Sequence, residues 1–400
     1  MNILILGNYP PPYGGVPHHI ERLSNYLNKL GHTCHIISGG TTGFTSLNNN
    51  TLFIYKPNIV QKTLSFIIGL KNIPYFIKLS NKKVSLNFLF LKHLVRYIIY
   101  YSIAKRIVNN HKIDLITSYN ILSYSPIASI LSKQYSIPHI INIFGEVYKN
   151  KPLFLSNKLF FFNTLKNSTK LLSCSNHCGN SLKEIGFLNT VITQMYGINL
   201  NHFKPGRIIN KNISIYQNLY NLNILFVGRQ SLEMGLDIYI DVSVKILKEN
   251  NNLKFFIVGQ IGDFSLNAKN IIQDNKDNFF LIDNANYNDL ADYYRLADIV
   301  VIPTRGDRTC SSLAAMEAMA TKKPVIAFSI GGIPELINNL VDGILIEPDN
   351  ITLLKESILN LANNQDLRNI LATNAYKKAI EMFNEDKVND TITKYFVESV

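Results

Sequence analysis

The chain has 400 residues, enough for two or three ordinary domains that each bury a core. Its apolar share, 46%, is ordinary for a soluble protein. Charge is uneven: residues 1–205 carry 21 Lys+Arg against 4 Asp+Glu, whereas residues 206–400 carry 19 against 24. That asymmetry points to an anionic partner for the first half, or to a solvated basic face. Membrane phospholipid, a phosphate-bearing lipid or nucleic acid would each serve, but no nucleic-acid-binding motif is recognisable, so none is expected as a partner. Met1-Asn2 leads straight into a strand pattern, so no secretory signal is expected. Cys34, Cys174, Cys178 and Cys310 are scattered, as in a reducing compartment.

In chain order, residues 2–7 read as a buried strand, 8–15 as a turn-rich loop and 16–30 as a helix with apolar Ile20, Leu23, Leu27 and Leu30. Gly14-Gly15 at that helix start allows close backbone approach to an anion, and a plain tight turn reads as well. The spacing is not the dinucleotide fingerprint. His35 begins another strand, and 39–50 reads as a polar loop. Residues 59–109 are rich in Ile, Leu, Phe and Tyr and contain no acid. Lys71, Lys78, Lys82, Lys83, Lys92, Arg96, Lys105 and Arg106 are interspersed. Residues 84–104 approach bilayer-spanning length but are interrupted by Lys92, His93 and Arg96. The stretch reads as one or two amphipathic helices suited to an anionic membrane surface, or packed by their apolar faces on the sheet.

Residues 114–119, 138–144 and 170–175 read as strands, and 126–135 as a helix. Glu146 follows the second of these strands and is the one first-half acid aimed at a strand's carboxyl edge. It is the candidate for a charged catalytic group, with a helix N-cap or surface acid as the alternative. Cys174, His177 and Cys178 are close enough to suggest a metal. No second ligand pair follows, so a strand end running into a helix is expected there, and no metal.

A polar, Asn-rich linker runs to residue 221. Strands follow at 222–228, 253–259 and 279–282, with a helix at 289–296. From 298 to 348 come a strand end, a polar loop, a helix over 312–321, a strand over 324–330, a Gly331-Gly332 turn, a short helix opened by Pro334-Glu335, and a strand over 343–347. This alternation means βα units on a parallel sheet. Ligands bind such sheets beyond the strands' carboxyl ends, which points to the loop 304–312. The helix start at Ser311-Ser312 offers backbone N–H groups to a phosphate. Glu317, inside the helix, can accept hydrogen bonds from sugar hydroxyls. After Pro348 the chain reads as helices.

Residues 303–348 resemble the signature of the GT-B glycosyltransferases, most of all the retaining family 4 enzymes (glycosyl transferases group 1). Pro303-Thr304, Glu317-Ala318-Met319-Ala320, Pro324-Val325-Ile326-Ala327 and Gly331-Gly332-Ile333-Pro334-Glu335 match in order. Arg229 matches the arginine that grips the donor diphosphate. The Gly14-Gly15 loop, which in the family faces the donor's phosphates, and Gly31-His32 match the opening. Gly197-Ile198-Asn199 and Phe203-Lys204-Pro205 resemble the stretch that closes the first domain. Three features depart. The family's first Glu falls at Thr309, with Asp307 two residues earlier. Its diphosphate-binding Lys falls at Met234, beside Gly235. Its strand-end His residues have only Thr117, Tyr119 and Phe144 as nearest matches.

The resemblance implies an α/β GT-B fold of two Rossmann-like domains with parallel sheets facing a cleft. Residues 1–205 would form the acceptor-side domain and 206–380 the nucleotide-sugar-binding domain, with 381–400 a terminal helix crossing back. It implies transfer of a sugar, with retention and no cofactor or essential metal, from a UDP- or GDP-linked nucleotide-sugar. The acceptor would be a saccharide or lipid-linked molecule, the setting cell-surface polysaccharide assembly on the inner face of the membrane. Gly14, Gly15, Arg229, Thr309, Ser311, Ser312, Leu313 and Glu317 would bind the donor, Glu317 by its ribose hydroxyls. Asp307 would take the first Glu's role, and Glu146 would be catalytic. Arg305 or Arg308 would replace the lost Lys, or serve only at the surface. The alternatives are a catalytically weak GT-B binding subunit and a nucleotide-sugar 2-epimerase.

Overall fold

A computed structural model describes residues 1–11, 14–39, 43–47, 51–80, 88–217, 222–306 and 309–400. The chain forms two compact units, Met1–Tyr196 with Asp386–Val400, and Gly197–Glu385.

The first unit has strands β1 (Asn2–Leu6), β2 (Thr33–Ile37), β3 (Gly43–Leu47), β4 (Leu52–Lys56), β5 (Leu115–Tyr119), β6 (His139–Ile143), β7 (Lys170–Ser173) and β8 (Ile192–Thr193). Its helices are α1 (Gly15–Lys29), α2 (Ile59–Gly69), α3 (Ile73–Leu79), α4 (Phe88–Asn110), α5 (Ser125–Tyr135), α6 (Glu146–Lys149), α7 (Lys151–Ser156), α8 (Lys158–Lys166) and α9 (Asn176–Glu184). The sheet order is β3-β4-β2-β1-β5-β6-β7-β8. All pairs are parallel except β3 with β4. Strands β5 and β6 are buried throughout, as a sheet covered on both faces requires. The order reverses between β1 and β5, so the loops after these strands flank the switch point.

One expectation changes here, and one of two open readings is met in part. Residues 43–47, read as part of a polar loop, form β3, an antiparallel edge strand. Its backbone finds partners in β4 although its side chains are largely exposed, which is why polarity hid it. In the 59–109 stretch, part of the apolar surface does pack on the sheet: Tyr97, Tyr101, Ala104 and Ile107 of α4 lie in the core with Leu4, Ile37 and Ile116. No helix among the described residues is long and apolar enough to cross a membrane.

The second unit has strands β9 (Leu222–Val227), β10 (Leu253–Gly259), β11 (Phe279–Asp283), β12 (Ile299–Ile302), β13 (Val325–Phe328) and β14 (Ile344–Ile346). Its helices are α10 (Lys211–Ser214), α11 (Leu236–Leu247), α12 (Ser265–Ile272), α13 (Tyr287–Leu296), α14 (Leu313–Ala320), α15 (Ile333–Leu336), α16 (Ile351–Asn363) and α17 (Gln365–Met382). The sheet order is β11-β10-β9-β12-β13-β14, all parallel. Its order reverses between β9 and β12.

Residues 197–205, assigned from sequence to the first domain, belong to the second unit. Ile198 bridges to Asn384, and the fully buried Phe203 ring meets Tyr287 and Tyr294 edge-on. The last helix, α18 (Glu385–Val397), returns the chain to the first unit. There the Tyr26 hydroxyl donates to Asp390, and Lys170 pairs with Glu398 at 2.7 Å.

Phe203 closes the entry to the second unit, so Phe203→Ala should lower its unfolding free energy by about 3–5 kcal/mol. Ile209→Ala, on a side chain 81% exposed, should change it by less than about 0.5 kcal/mol. Urea unfolding followed by circular dichroism measures both.

Candidate active site

In the second unit the loops that follow β9 and β12 lie side by side at the switch point. The Arg305 N–H donates to the Glu233 carbonyl at 3.0 Å, which ties the two loops together. Arg229 lies two residues beyond the end of β9 and is exposed, and its guanidinium has no hydrogen-bond or ionic partner among the described residues. Next to it the chain turns inward. Gln230 is fully buried, and its amide donates to Asp283 at 2.8 Å. Lys269 also holds Asp283 at 2.7 Å, and these hydrogen bonds keep that carboxyl below its usual range. The side-chain amide oxygen of Gln230 (Oε1) and the Ser231 hydroxyl are buried with no partner among the described residues. Buried polar atoms left unpaired are costly, so these two mark a place built to receive hydrogen bonds from something else. The Arg229 motif locates this loop in the sequence, but nothing in the sequence says that Gln230 and Ser231 turn inward.

The β12 loop is also fixed from its other side. The Thr309 carbonyl accepts from the Gly332 N–H at 2.7 Å. Gly331 has φ +61°, and a Cβ there would lie 2.2 Å from that carbonyl. Only glycine fits so tight an approach. Thr309 therefore meets the Gly-Gly turn through its main chain, and its side chain is half-buried. Ser312 caps α14, its hydroxyl accepting from the Ala315 N–H at 3.2 Å, so its side chain serves the helix. Leu313 opens α14 and Ser311 precedes its cap, both half-buried. The first helical amides, at Leu313 and Ala314, have no acceptor inside the helix, as at any helix start. That leaves N–H groups and the positive dipole end at the switch point.

Glu317 lies one turn further along α14 and is only 6% exposed. One carboxylate oxygen accepts from the Tyr294 hydroxyl at 2.9 Å, which sets the orientation of the group. Met234, at the position of the expected Lys, packs against the second unit's core. Arg305 does not replace that Lys as a free cation: it is paired with Asp237 at 2.7 Å and Asp349 at 2.8 Å. Asp307 and Arg308 lie outside the described residues.

In the first unit the exposed Gly14 and Gly15 start α1, at the end of the loop after β1. Lys56, only 4% exposed, anchors that loop by donating to the Pro10 and Pro11 carbonyls at 2.7 and 2.8 Å. Near the carboxyl end of β5, His19 stacks on Tyr196 with ring centroids 3.7 Å apart. Burial holds His19 down to about 3, so it is neutral at pH 7.

Glu146 is not a charge presented to solvent. It is buried, and one oxygen accepts from the Ile121 N–H while the other accepts from the Phe144 N–H, each at 2.7 Å. It ties the loops after β5 and β6 together, so the charged group expected at the strand's edge is held by two main-chain amides. Burial pushes its carboxyl up to about 7 against the pull of those amides. The Cys174–Cys178 stretch is a strand end running into a helix, β7 into α9, and His177 stacks on Tyr148 with centroids 4.5 Å apart.

Two tests follow from this geometry. Gly331→Ala should destabilise the second unit by about 1–3 kcal/mol, read from urea unfolding. The Glu146 carboxyl binds its proton more tightly folded than unfolded, since its folded value of about 7 exceeds the ordinary 4.5. Its contribution to stability is then largest below that ordinary value and declines as pH rises toward neutrality. The stability difference between wild type and Glu146→Gln, from urea unfolding at a series of pH values, should shrink over that window and level off above it.

Residues 218–378 match the family described as glycosyl transferases group 1, and residues 13–196 match glycosyltransferase family 4. An uncharacterized glycosyltransferase of Methanocaldococcus jannaschii is 28% identical, across 100% of this chain and 98% of its own. Among solved structures, sucrose-phosphate synthase from Thermosynechococcus elongatus superposes with a TM-score of 0.77 at 16% identity, over 99% of this chain and 98% of the other. Anabaena HepE, solved in complex with UDP, superposes with a TM-score of 0.71 at 16% identity, over 100% of both chains. The matched families, the full-length relative and the shared architecture together make this chain a GT-B-fold glycosyltransferase of the group 1, family 4 type.

Proposed function

We propose that the chain moves a sugar from a UDP- or GDP-linked nucleotide-sugar to a saccharide or lipid-linked acceptor, with retained anomeric configuration, in cell-surface polysaccharide assembly. The observation that carries this reading is the second unit's switch point. There an unpaired guanidinium, the start of α14 and two unpartnered buried polar atoms, the Gln230 side-chain amide oxygen and the Ser231 hydroxyl, occupy two adjoining loops. A nucleoside diphosphate leaving group gains negative charge as the glycosidic bond breaks. A forked guanidinium and oriented amides suit that charge without a bound metal. HepE, which shares the fold, has been solved with UDP, and such a ligand fits the same chemistry here.

In this reading Arg229 grips the diphosphate, and Ser311, Leu313 and the α14 amides meet its oxygens. Ser231 and Gln230 hold the nucleotide side, and Glu317, oriented by Tyr294, accepts from ribose hydroxyls. Asp307 and Thr309 hold the donor sugar. Gly14-Gly15 offers further main-chain N–H groups to an anion on the first unit. Glu146 holds the loops after β5 and β6 through the Ile121 and Phe144 amides. In a retaining transfer the bond from the anomeric carbon to the diphosphate breaks on the face where the acceptor oxygen adds, and the departing diphosphate oxygen takes the acceptor hydroxyl's proton.

The test is release of nucleoside diphosphate from a panel of UDP- and GDP-sugars, with the product's anomeric configuration read by NMR. Arg229→Ala should lower kcat/KM about 10- to 100-fold, as expected for one charge-assisted contact. Glu317→Gln should weaken donor binding about 10-fold while keeping an acceptor for Tyr294. If calorimetry finds no binding and no diphosphate is released with any donor, the proposal is wrong. An inverted product would remove the stereochemical part alone.

A further inference from the structure

The pair formed by α2 and α4 in the first unit is packed the wrong way round for a surface helix facing water. On α2 the fully buried positions are small, Ser65 and Gly69, and Phe66 packs half-buried against the core. A Cβ at Gly69 would lie 2.5 Å from both Ile98 Cγ2 and the Ser102 hydroxyl of α4. The opposite face is apolar and exposed: Val60 66%, Leu64 54%, Ile67 59% and Ile68 48%. These positions share one helical stripe. The start of α4 extends the apolar surface with Phe88, 84% exposed, and with Leu91 and Val95, both more than 40% exposed. Single exposed apolar residues are unremarkable, whereas a continuous stripe marks an interaction surface.

Charge identifies the partner. Residues 59–109 contain no Asp or Glu. Between α2 and α4 lies a depression of about 370 Å³ lined by Lys62, Lys92, His93 and Arg96 together with apolar Leu89. Lys92 and Arg96 are exposed at its rim. The His93 Nδ1 atom beneath them is buried with no partner among the described residues. A second copy of this chain would bring the same cations against each other, which disfavours self-association through this face. A surface that is both apolar and anionic satisfies both features.

We propose that the α2–α4 face docks the protein on an anionic phospholipid bilayer. The α2 stripe and Phe88 enter the acyl boundary, and Lys62, Lys92 and Arg96 take a lipid phosphate in the depression between the helices. Such binding combines buried apolar area with attraction to anionic headgroups, and salt weakens it.

The full-length protein should co-sediment with vesicles of phosphatidylcholine containing 30% phosphatidylglycerol, and about 10-fold less with pure phosphatidylcholine. Raising salt from 0.1 to 0.5 M should reduce the first binding. Lys92→Gln with Arg96→Gln, and separately Leu64→Ser with Ile67→Ser, should each lower vesicle affinity about 10-fold. Both pairs should leave circular dichroism unchanged; the first removes exposed charges, with only a single exposed hydrogen bond from Arg96 to the Ser123 hydroxyl, and carries the test if the second does not fold. Absence of binding to anionic vesicles, or binding that neither pair weakens, overturns the proposal. So does a dimer in sedimentation velocity that Leu64→Ser with Ile67→Ser abolishes in the absence of vesicle binding. The readout is independent of sugar transfer, so its failure and a failure of the donor assignment are separable.

Discussion

The donor side of this enzyme depends on one close contact between main chains. The Thr309 carbonyl sits on the Gly331-Gly332 turn, accepting from the Gly332 N–H and leaving no room for a Cβ at Gly331. That contact joins the loop after β12 to the loop after β13. The Arg305–Glu233 bond joins the same loop to the one after β9. Three strand ends are thereby held in register at the point where the sheet's order reverses. Oriented main-chain groups act on a developing charge without having to reorganise, which is where their electrostatic value lies. The glycine pair is thus part of the site although it contributes no functional group.

Buried polar chemistry is distributed differently in the two units. In the first, the charged groups beside the strand ends are already satisfied: Glu146 by two amides and Lys56 by two proline carbonyls. They hold loops in place. In the second, Arg229 carries its charge to the surface, and the Gln230 side-chain amide oxygen and Ser231 hydroxyl are left without partners among the described residues. Satisfied groups build a scaffold, and unsatisfied ones await a ligand. The departure at Met234, and the cation expected to compensate for it, fit this division. Met234 has joined the core instead of leaving a gap in the site, and Arg305 has become an anchor between α11 and the chain near Asp349.

The basic character of the first half has a structural counterpart in the helices that follow β4. α4 serves two masters along its length: its second half packs on the sheet, while its start and α2 present apolar and cationic side chains outward. A helix with small residues inside and branched ones outside has low value as a lid on a sheet and high value as a surface for an apolar, anionic partner.

The amino-acid sequence by itself determined the βα alternation, the parallel second sheet and which loops follow its strands at the switch point. Buried parallel strands read as short apolar runs, and glycine pairs, a strand-end arginine and a helix glutamate leave local marks at set spacings. It did not determine that 43–47 pairs as an edge strand, because the bonds are main-chain bonds that composition does not record. Nor could it say that residues 197–205 join the second unit, since Phe203 finds its aromatic partners some 84 to 91 positions away, at Tyr287 and Tyr294. The bonding of the Glu146 carboxylate is likewise set only in three dimensions. A carboxylate beside a strand end looks the same in sequence whether it faces a substrate or two buried amides, and it is the backbone of Ile121, 25 residues away, that settles the matter.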